Sequence, residues 1–106
     1  MAMTRPVTML VSYYPKKGKE PALLSLIKKH WAALDREGLV TKMPQQIWRA
    51  TNKKTSQTYF VEMFQWKDAN SSGIAHQTLG VMAIWEPMET VLEKMELARI
   101  EPIRPR

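Results

Sequence analysis

A histidine beside a segment rich in methionine and tryptophan is the first group in this sequence of 106 residues that could do chemistry. His76 lies in the stretch AHQTLGVMAIWEPME, ahead of Met82, Trp85 and Met88 at helical spacing. Imidazole changes its charge at about pH 6.5, so it can take a proton from a phenol or hydroquinone or bind haem iron. The three apolar side chains would suit a flat aromatic ligand. The same pattern also fits a packed helix with His76 as a polar cap, and both interpretations stay open.

Three further side chains are candidates for the same pocket. Trp31 lies on an earlier helical pattern, where core packing explains it better than ligand contact does. Glu62 lies in the middle of the segment TYFVEMFQW, and a carboxylate buried there needs a partner. An ion pair with Arg49 is favoured, and a proton-accepting carboxylate is the second choice. Tyr59, like Tyr13, carries a hydroxyl group that a ligand could contact.

The composition excludes several kinds of site. The chain has no cysteine, which excludes disulfides, thiolate metal sites and cysteine nucleophiles. It has four glycines, none of them adjacent, so no glycine-rich phosphate loop can form. The two histidines lack a nearby carboxylate pattern, which argues against a zinc or non-haem iron site. We therefore expect neither a metal nor a cofactor.

The charge and hydropathy indicate a soluble cytoplasmic protein. The formal net charge is +6, but the basic residues are scattered along the chain, which is typical of a solvated surface and not of a nucleic-acid-binding track. No apolar run approaches the length that spans a membrane. The N-terminal residues have too short an apolar run for a signal peptide. Neither nucleic acid nor membrane is an expected partner.

Four segments have the composition of β-strands. They are rich in β-branched and aromatic residues, and proline or turn-forming residues bound them. The third of these segments, TYFVEMFQW, is the strongest. The strands are predicted at 7–14, 45–51, 58–66 and 97–103.

Helical spacing of apolar residues separates these strands. A helix is predicted between residues 18 and 38, with His30 on its apolar stripe. Cap-forming residues precede a short helix at 74–78. A second apolar stripe at 81–95 predicts another helix, in which Pro87 should cause a kink or separate two abutting helices.

The order of elements predicts an α+β fold of the ferredoxin-like βαββαβ type. This arrangement is a four-stranded antiparallel sheet with helices on one face. The length fits one domain over residues 1–106, with a core at about 7–103 and a basic tail rich in proline and arginine at 102–106.

The third strand is apolar on both faces, whereas a sheet with one face in water should alternate apolar and polar residues. The second face therefore needs a cover, and the simplest cover is a second copy of the chain. We expect a homodimer through this sheet face. The two sets are Tyr59, Val61 and Met63 on one side, and Phe60, Phe64 and Trp66 on the other.

The segments FVEMFQWKDANSSGIAH and VMAIWEPMETVLE resemble the dimeric α+β barrel superfamily, and within it the small antibiotic biosynthesis monooxygenase-like and stress-responsive proteins. The resemblance covers about 7–103 in element order and spacing. It implies that two sheets face each other across a dimer interface, with a pocket between sheet and helices in each subunit. The implied activity is cofactor-independent monooxygenation of a small aromatic or quinol-type substrate, with His76 as the base.

Three alternatives stay open beside this hypothesis. One is a non-catalytic ligand-binding or stress-responsive dimer with the same fold. Haem binding or degradation is a minor alternative: Trp66 and His76 have the ten-residue separation of the haem-degrading branch, but Trp66 ends a strand and the first strand has no asparagine. An RNA-recognition module shares the element order, but TYFVEMFQW lacks the Lys/Arg-Gly that such modules carry before their aromatic residues.

Overall fold

The chain forms four strands and three helices in the order βαββααβ. The structure, a computed structural model, describes residues 5–105, so Arg106 of the predicted tail lies outside the described residues. The strands are β1 (Val7–Pro15), β2 (Gln46–Thr51), β3 (Thr58–Trp66) and β4 (Leu92–Ile100). The helices are α1 (Glu20–Arg36), α2 (Ser71–Ala75) and α3 (Leu79–Val91).

The strands form one sheet in the order β2-β3-β1-β4, and every neighbouring pair is antiparallel. β1 and β3 are therefore the central strands. In their register, Val11 lies opposite Glu62 and Tyr13 opposite Phe60, so these four side chains share one face. The helices cover that face, and the predicted ferredoxin-like α+β fold is confirmed.

Helix α1 has its buried residues three and four positions apart, as an amphipathic helix requires. Leu23, Ile27, His30 and Leu34 face the sheet and are buried. Pro21 lies in the first turn, where its missing N–H leaves no hydrogen bond unmade. Gly38, with φ of 71°, takes the left-handed conformation that ends the helix. His30 is thereby fixed against the central strands.

The predicted boundary between the last helix and the last strand is wrong. Val91, Leu92 and Met95 continue the helical spacing, but α3 ends at Val91 and β4 begins at Leu92. Pairing with β1 decides this, since Met95 lies opposite Tyr13 and the strand closes the sheet edge. β4 ends at Ile100, before the predicted end at residue 103.

The other differences from the predicted elements are small. The short helix spans Ser71–Ala75 instead of 74–78, because Ser71 and Ser72, two of the polar residues expected to cap it, form its first turn. Pro87 lies inside α3, which is one helix from Leu79 to Val91. None of the helices within residues 5–105 is long and apolar enough to cross a membrane.

The two faces of the sheet differ in how well they are shielded from solvent. On the helix-covered face, Phe60 and Phe64 are buried in the core. On the opposite face, Leu10, Val61 and Met63 are only half-buried, and Trp48 is 45% exposed. This second surface, which we call the open face, is apolar in its centre, as the alternation in β3 predicts.

Candidate functional site

A cavity of about 240 Å³ lies between α3 and the helix-covered face of the sheet. It reaches the surface where His76, Met95 and Leu97 are exposed. Four polar side chains, those of Tyr13, His30, Ser72 and Glu89, also line it. The rest of the wall is mainly apolar, and its main contributors are Met9, Val11, Phe64, Trp66, Met82 and Met88.

The structure brings four of the predicted site residues together in this cavity: His76, Met82, Trp85 and Met88. Met82, Trp85 and Met88 lie at spacings of three residues on α3, and this places them on one side of the helix. Glu62 lies beneath the wall with 0% exposure, and it contacts two residues that do line the cavity.

Two predicted residues do not line the cavity. Tyr59 is on the open face, where its ring stacks on Tyr14 at 4.7 Å between centroids. The alternation along β3 explains this, since Tyr59 points away from the face of Phe60 and Glu62. Trp31 is half-buried at the flank of α1, next to the core, and its indole nitrogen has no hydrogen-bond partner.

His76 is the exposed cap residue at the C-terminal end of α2. Its Nδ1 lies 2.8 Å from the carbonyl oxygen of Ser72, so Nδ1 carries the proton and donates it. Nε2 then has a free lone pair. The imidazole also lies edge-on to Trp85, with 4.7 Å between the ring centroids. His76 is therefore both a helix cap and part of the cavity wall.

Glu62 is the centre of a buried hydrogen-bond cluster. The Tyr13 hydroxyl donates to Oε1 at 2.5 Å, and the Gln45 amide donates to Oε2 at 2.6 Å. His30 Nδ1 lies 3.0 Å from Oε1 and 2.9 Å from Oε2. Donors on β1, on α1 and on the segment before β2 thus stabilise one carboxylate, as a buried charge requires.

The predicted ion pair between Glu62 and Arg49 does not form. In the register of β2 and β3, Ile47 lies opposite Glu62 and Arg49 lies opposite Phe60. The Arg49 guanidinium is 5.5 Å from the centre of the Phe60 ring. The partner of Glu62 is His30 instead, whose Nδ1 lies 2.9 Å from Oε2.

His30 is the functional candidate that sequence reasoning missed. It is 3% exposed, and both of its ring nitrogens have partners. Nδ1 donates to Glu62, and Nε2 accepts a hydrogen bond of 2.9 Å from the indole N–H of Trp85. Because indole is a donor only, this contact fixes the tautomer of His30. The one feature of the sequence that could have indicated this role is the position of His30 on the apolar stripe of a helix, together with a glutamate in the middle of an apolar strand.

The environment of Tyr13 keeps its hydroxyl protonated. The pKa of Tyr13 is raised well above its ordinary value of 10.0. Burial is the largest cause, and the charge of Glu62 and the hydrogen bond to it add to the effect. Tyr13 therefore stays a donor to Glu62 over the whole neutral range. Within the described part of the chain, no group of three or more histidine and acidic side chains could hold a metal ion.

No protein-family model and no curated protein sequence matches the chain. Solved structures do match it over nearly its whole length. PA3566 from Pseudomonas aeruginosa is 14% identical with a TM-score of 0.69, and the match covers 98% of this chain and all of that one. SnoaB from Streptomyces nogalater, described as a cofactor-independent oxygenase, is 14% identical with a TM-score of 0.65 over 95% of this chain and 98% of that one.

A third structure, described as an antibiotic biosynthesis monooxygenase, is 12% identical with a TM-score of 0.68 over 92% of this chain and 99% of that one. The chain has the antibiotic biosynthesis monooxygenase-like fold. At these identities the likeness concerns the backbone and leaves the chemistry of the cavity to this chain's own side chains.

Proposed function

We propose that the protein is a cofactor-independent monooxygenase-like protein that acts on a small aromatic or quinol-type substrate. The observation that carries the proposal is one cavity with apolar walls and a histidine at each end. His76 lies on the exposed side, and His30 lies on the buried side. Apolar walls with a few convergent polar groups are typical of ligand sites.

The shape and lining of the cavity favour a small flat ligand. Its volume of about 240 Å³ is below the usual range for drug-sized ligands, which is about 300–1,000 Å³. Trp85 and Phe64 offer aromatic surfaces, and Met82 and Met88 can adapt to the outline of a ring. A single aromatic ring or a small fused system fits this description.

We assign the role of proton acceptor to His76. Its Nε2 has a free lone pair, because Nδ1 donates to the Ser72 carbonyl. Removing a proton from the substrate leaves an anion that can give electrons to dioxygen. In the keto form of the substrate, a ring CH₂ group and O₂ become a carbonyl group and water, so the substrate supplies all four electrons and no cofactor is needed. SnoaB, with the same fold, is described as a cofactor-independent oxygenase, which supports this chemistry.

The experiment that tests the function measures oxygen consumption with a panel of hydroquinones, naphthols and anthrones, corrected for uncatalysed oxidation. Consumption that depends on the protein, with one carbonyl product formed per O₂ consumed, supports the proposal. If no compound is oxidised while several raise the melting temperature, the protein binds ligands without catalysis.

That non-catalytic function is the second candidate, and one observation favours it. The exposed position of His76 and its hydrogen bond to the backbone of α2 also suit a helix cap with no catalytic role. A cavity with such a cap would still bind an aromatic ligand. Oxygen consumption separates the two candidates, because only the enzyme consumes O₂.

We propose that the protein is a homodimer through the open face. Leu10, Val61, Met63 and Trp48 would otherwise lie in contact with water. An obligate interface should bury about 2,000 Å² or more in total. Light scattering should give twice the mass of the chain at micromolar concentration. Val61→Arg should reduce it towards the single mass, whereas Lys53→Glu in an exposed turn should not. A wild-type monomer would contradict this proposal.

A further inference from the structure

The buried end of the cavity contains a paired histidine and carboxylate that the proposed chemistry of His76 does not use. We propose that the His30–Glu62 pair is a second acceptor site, which binds the hydroxyl group of the ligand at His30 Nε2. In the free protein the indole N–H of Trp85 occupies this acceptor, and a ligand hydroxyl replaces it. The inference rests on the proposed function only in that it places a hydroxylated aromatic ligand in this cavity.

The pair has the geometry of an oriented acceptor. His30 Nδ1 is within 3.0 Å of both Glu62 oxygens, which fixes the plane of the imidazole and places its proton on Nδ1. The lone pair of Nε2 then points away from Glu62, towards Trp85. A carboxylate behind the donor nitrogen also increases the ability of the opposite nitrogen to accept a hydrogen bond.

The partners of Glu62 are hydrogen-bond donors, and no lysine or arginine side chain among the described residues pairs with it. Among the described residues, His30 is its only partner at ion-pair distance. Tyr13 and Gln45 donate to the two oxygens, so donors reach it from β1 and from the segment before β2 as well as from α1. The hydrogen bond from Nδ1 to Glu62 polarises the imidazole and makes His30 Nε2 a stronger acceptor.

That acceptor lies at the cavity. His30 and Trp85 both line it, and Trp85 is only half-buried although it donates to a histidine that is 3% exposed. One lone pair accepts one strong hydrogen bond, so a ligand O–H and the indole N–H compete for Nε2. Displacing the indole N–H is therefore the way in which a ligand reaches this acceptor.

Trp85 also connects the two ends of the site. Its ring neighbours both imidazoles, with centroid separations of 5.9 Å to His30 and 4.7 Å to His76. A ligand that displaces the indole N–H from His30 must turn or shift this ring. The contact between Trp85 and His76 then changes as well, so ligand binding at the buried end alters the surroundings of His76 at the exposed end.

The expected ligand class is an aromatic compound with a free hydroxyl group. A methyl ether of the same ring system fills nearly the same space but has no proton to donate. The pair 1-naphthol and 1-methoxynaphthalene is therefore a direct probe. We expect the wild type to bind 1-naphthol about two- to three-fold more tightly, because the naphthol O–H is a stronger donor than the indole N–H that it displaces. The full effect of one added hydrogen bond, roughly three- to ten-fold, should appear only when the indole donor is removed.

Four proteins are compared by titration calorimetry with both compounds: the wild type, Trp85→Phe, His30→Phe and Trp31→Phe. Trp85→Phe removes the competing donor and keeps an aromatic ring, so the preference for 1-naphthol should increase. His30→Phe should abolish the preference. Trp31→Phe is the matched control, because that indole N–H has no partner and does not line the cavity, and its preference should equal that of the wild type.

Nuclear magnetic resonance of the wild type covers the case in which a variant fails to fold. His30 should show one proton-bearing nitrogen and one accepting nitrogen, and the indole N–H signal of Trp85 should move with 1-naphthol but not with the ether. Equal affinity for the two compounds, an unmoved indole signal, or no binding of 1-naphthol would each overturn the inference. A preference for 1-naphthol without any oxygen consumption supports the inference and contradicts the proposed enzymatic function. Oxygen consumption without the preference supports the enzymatic function and contradicts the inference.

Discussion

The two histidines of the cavity have the same side chain and opposite surroundings. His30 is buried, with both nitrogens hydrogen-bonded to side chains on other elements. His76 is exposed, with one nitrogen bonded to the backbone of its own helix and the other free. The difference indicates separate roles: replacing the buried residue should affect folding and ligand choice, and replacing the exposed one should affect turnover.

Removing the imidazole of His76 should have the largest effect. If His76 is the base, His76→Ala should lower the turnover of a genuine substrate by roughly two to four orders of magnitude. Its free energy of unfolding should fall by only about 1 kcal/mol, because one exposed hydrogen bond is lost. Oxygen uptake and chemical denaturation measure the two effects.

Gln77→Ala is the control for this variant, since Gln77 is the exposed neighbour and does not line the cavity. It should leave turnover unchanged. Unfolding of His76→Ala, or undiminished turnover, would show that His76 is only a cap.

Breaking the buried pair should have the largest effect on stability. Glu62→Ala leaves the donors of Tyr13, His30 and Gln45 buried and unpaired, which should cost at least about 3 kcal/mol of unfolding free energy, at roughly 1–3 kcal/mol for each donor. Denaturant titration measures the change. Glu89→Ala, an exposed carboxylate at the same cavity, should change it by less than about 0.5 kcal/mol. Equal effects of the two variants would mean that the buried cluster does not stabilise the fold.

The loss of stability in Trp85→Ala should be intermediate between those of His76→Ala and Glu62→Ala. The ring is half-buried and neighbours both histidines. The expected loss is about 3 kcal/mol, at the lower end of the range for large aromatic residues. Thermal and chemical unfolding measure the loss. A loss below about 1 kcal/mol would show that Trp85 is not held in place by His30.

The smallest effect concerns Tyr13 and depends on pH. Tyr13→Phe should cost about 1.5–2 kcal/mol at pH 7, since it removes one hydrogen bond to a charged group. The pKa of Tyr13 is raised in the folded state, so this stabilisation is complete below the ordinary value of 10.0 and is lost as the pH rises through the folded pKa. The difference between wild type and variant should therefore shrink in alkaline solution. A constant difference up to high pH would contradict this assignment.

The fold was predictable where local patterns and long-range pairing agree. Thr58–Trp66 has strand composition and is a central strand, and its predicted bounds are the observed ones. Val91 to Met95 continues a helical spacing, but pairing with β1 makes Leu92 the start of a strand. Such pairing joins residues far apart in the chain, which a local pattern does not contain.

The site was predictable on α3 and not across the sheet. Met82, Trp85 and Met88 belong to one helix, so their spacing alone placed them together. The contact of His30 with Glu62 joins residues 32 positions apart, and neither has a local signal that points to the other. The sequence favours Arg49, the wrong partner, because it does not give the register of β2 on β3.

The edge strand β4 limits how the chain can associate. An edge strand presents unpaired backbone N–H and C=O groups, to which another strand can add without limit. Four of the nine residues of β4 are charged, namely Glu93, Lys94, Glu96 and Arg99. Charges of this kind discourage strand addition. Growth at this edge into an amyloid-like fibre is therefore disfavoured, and the proposed association through the open face would be a closed contact of finite size.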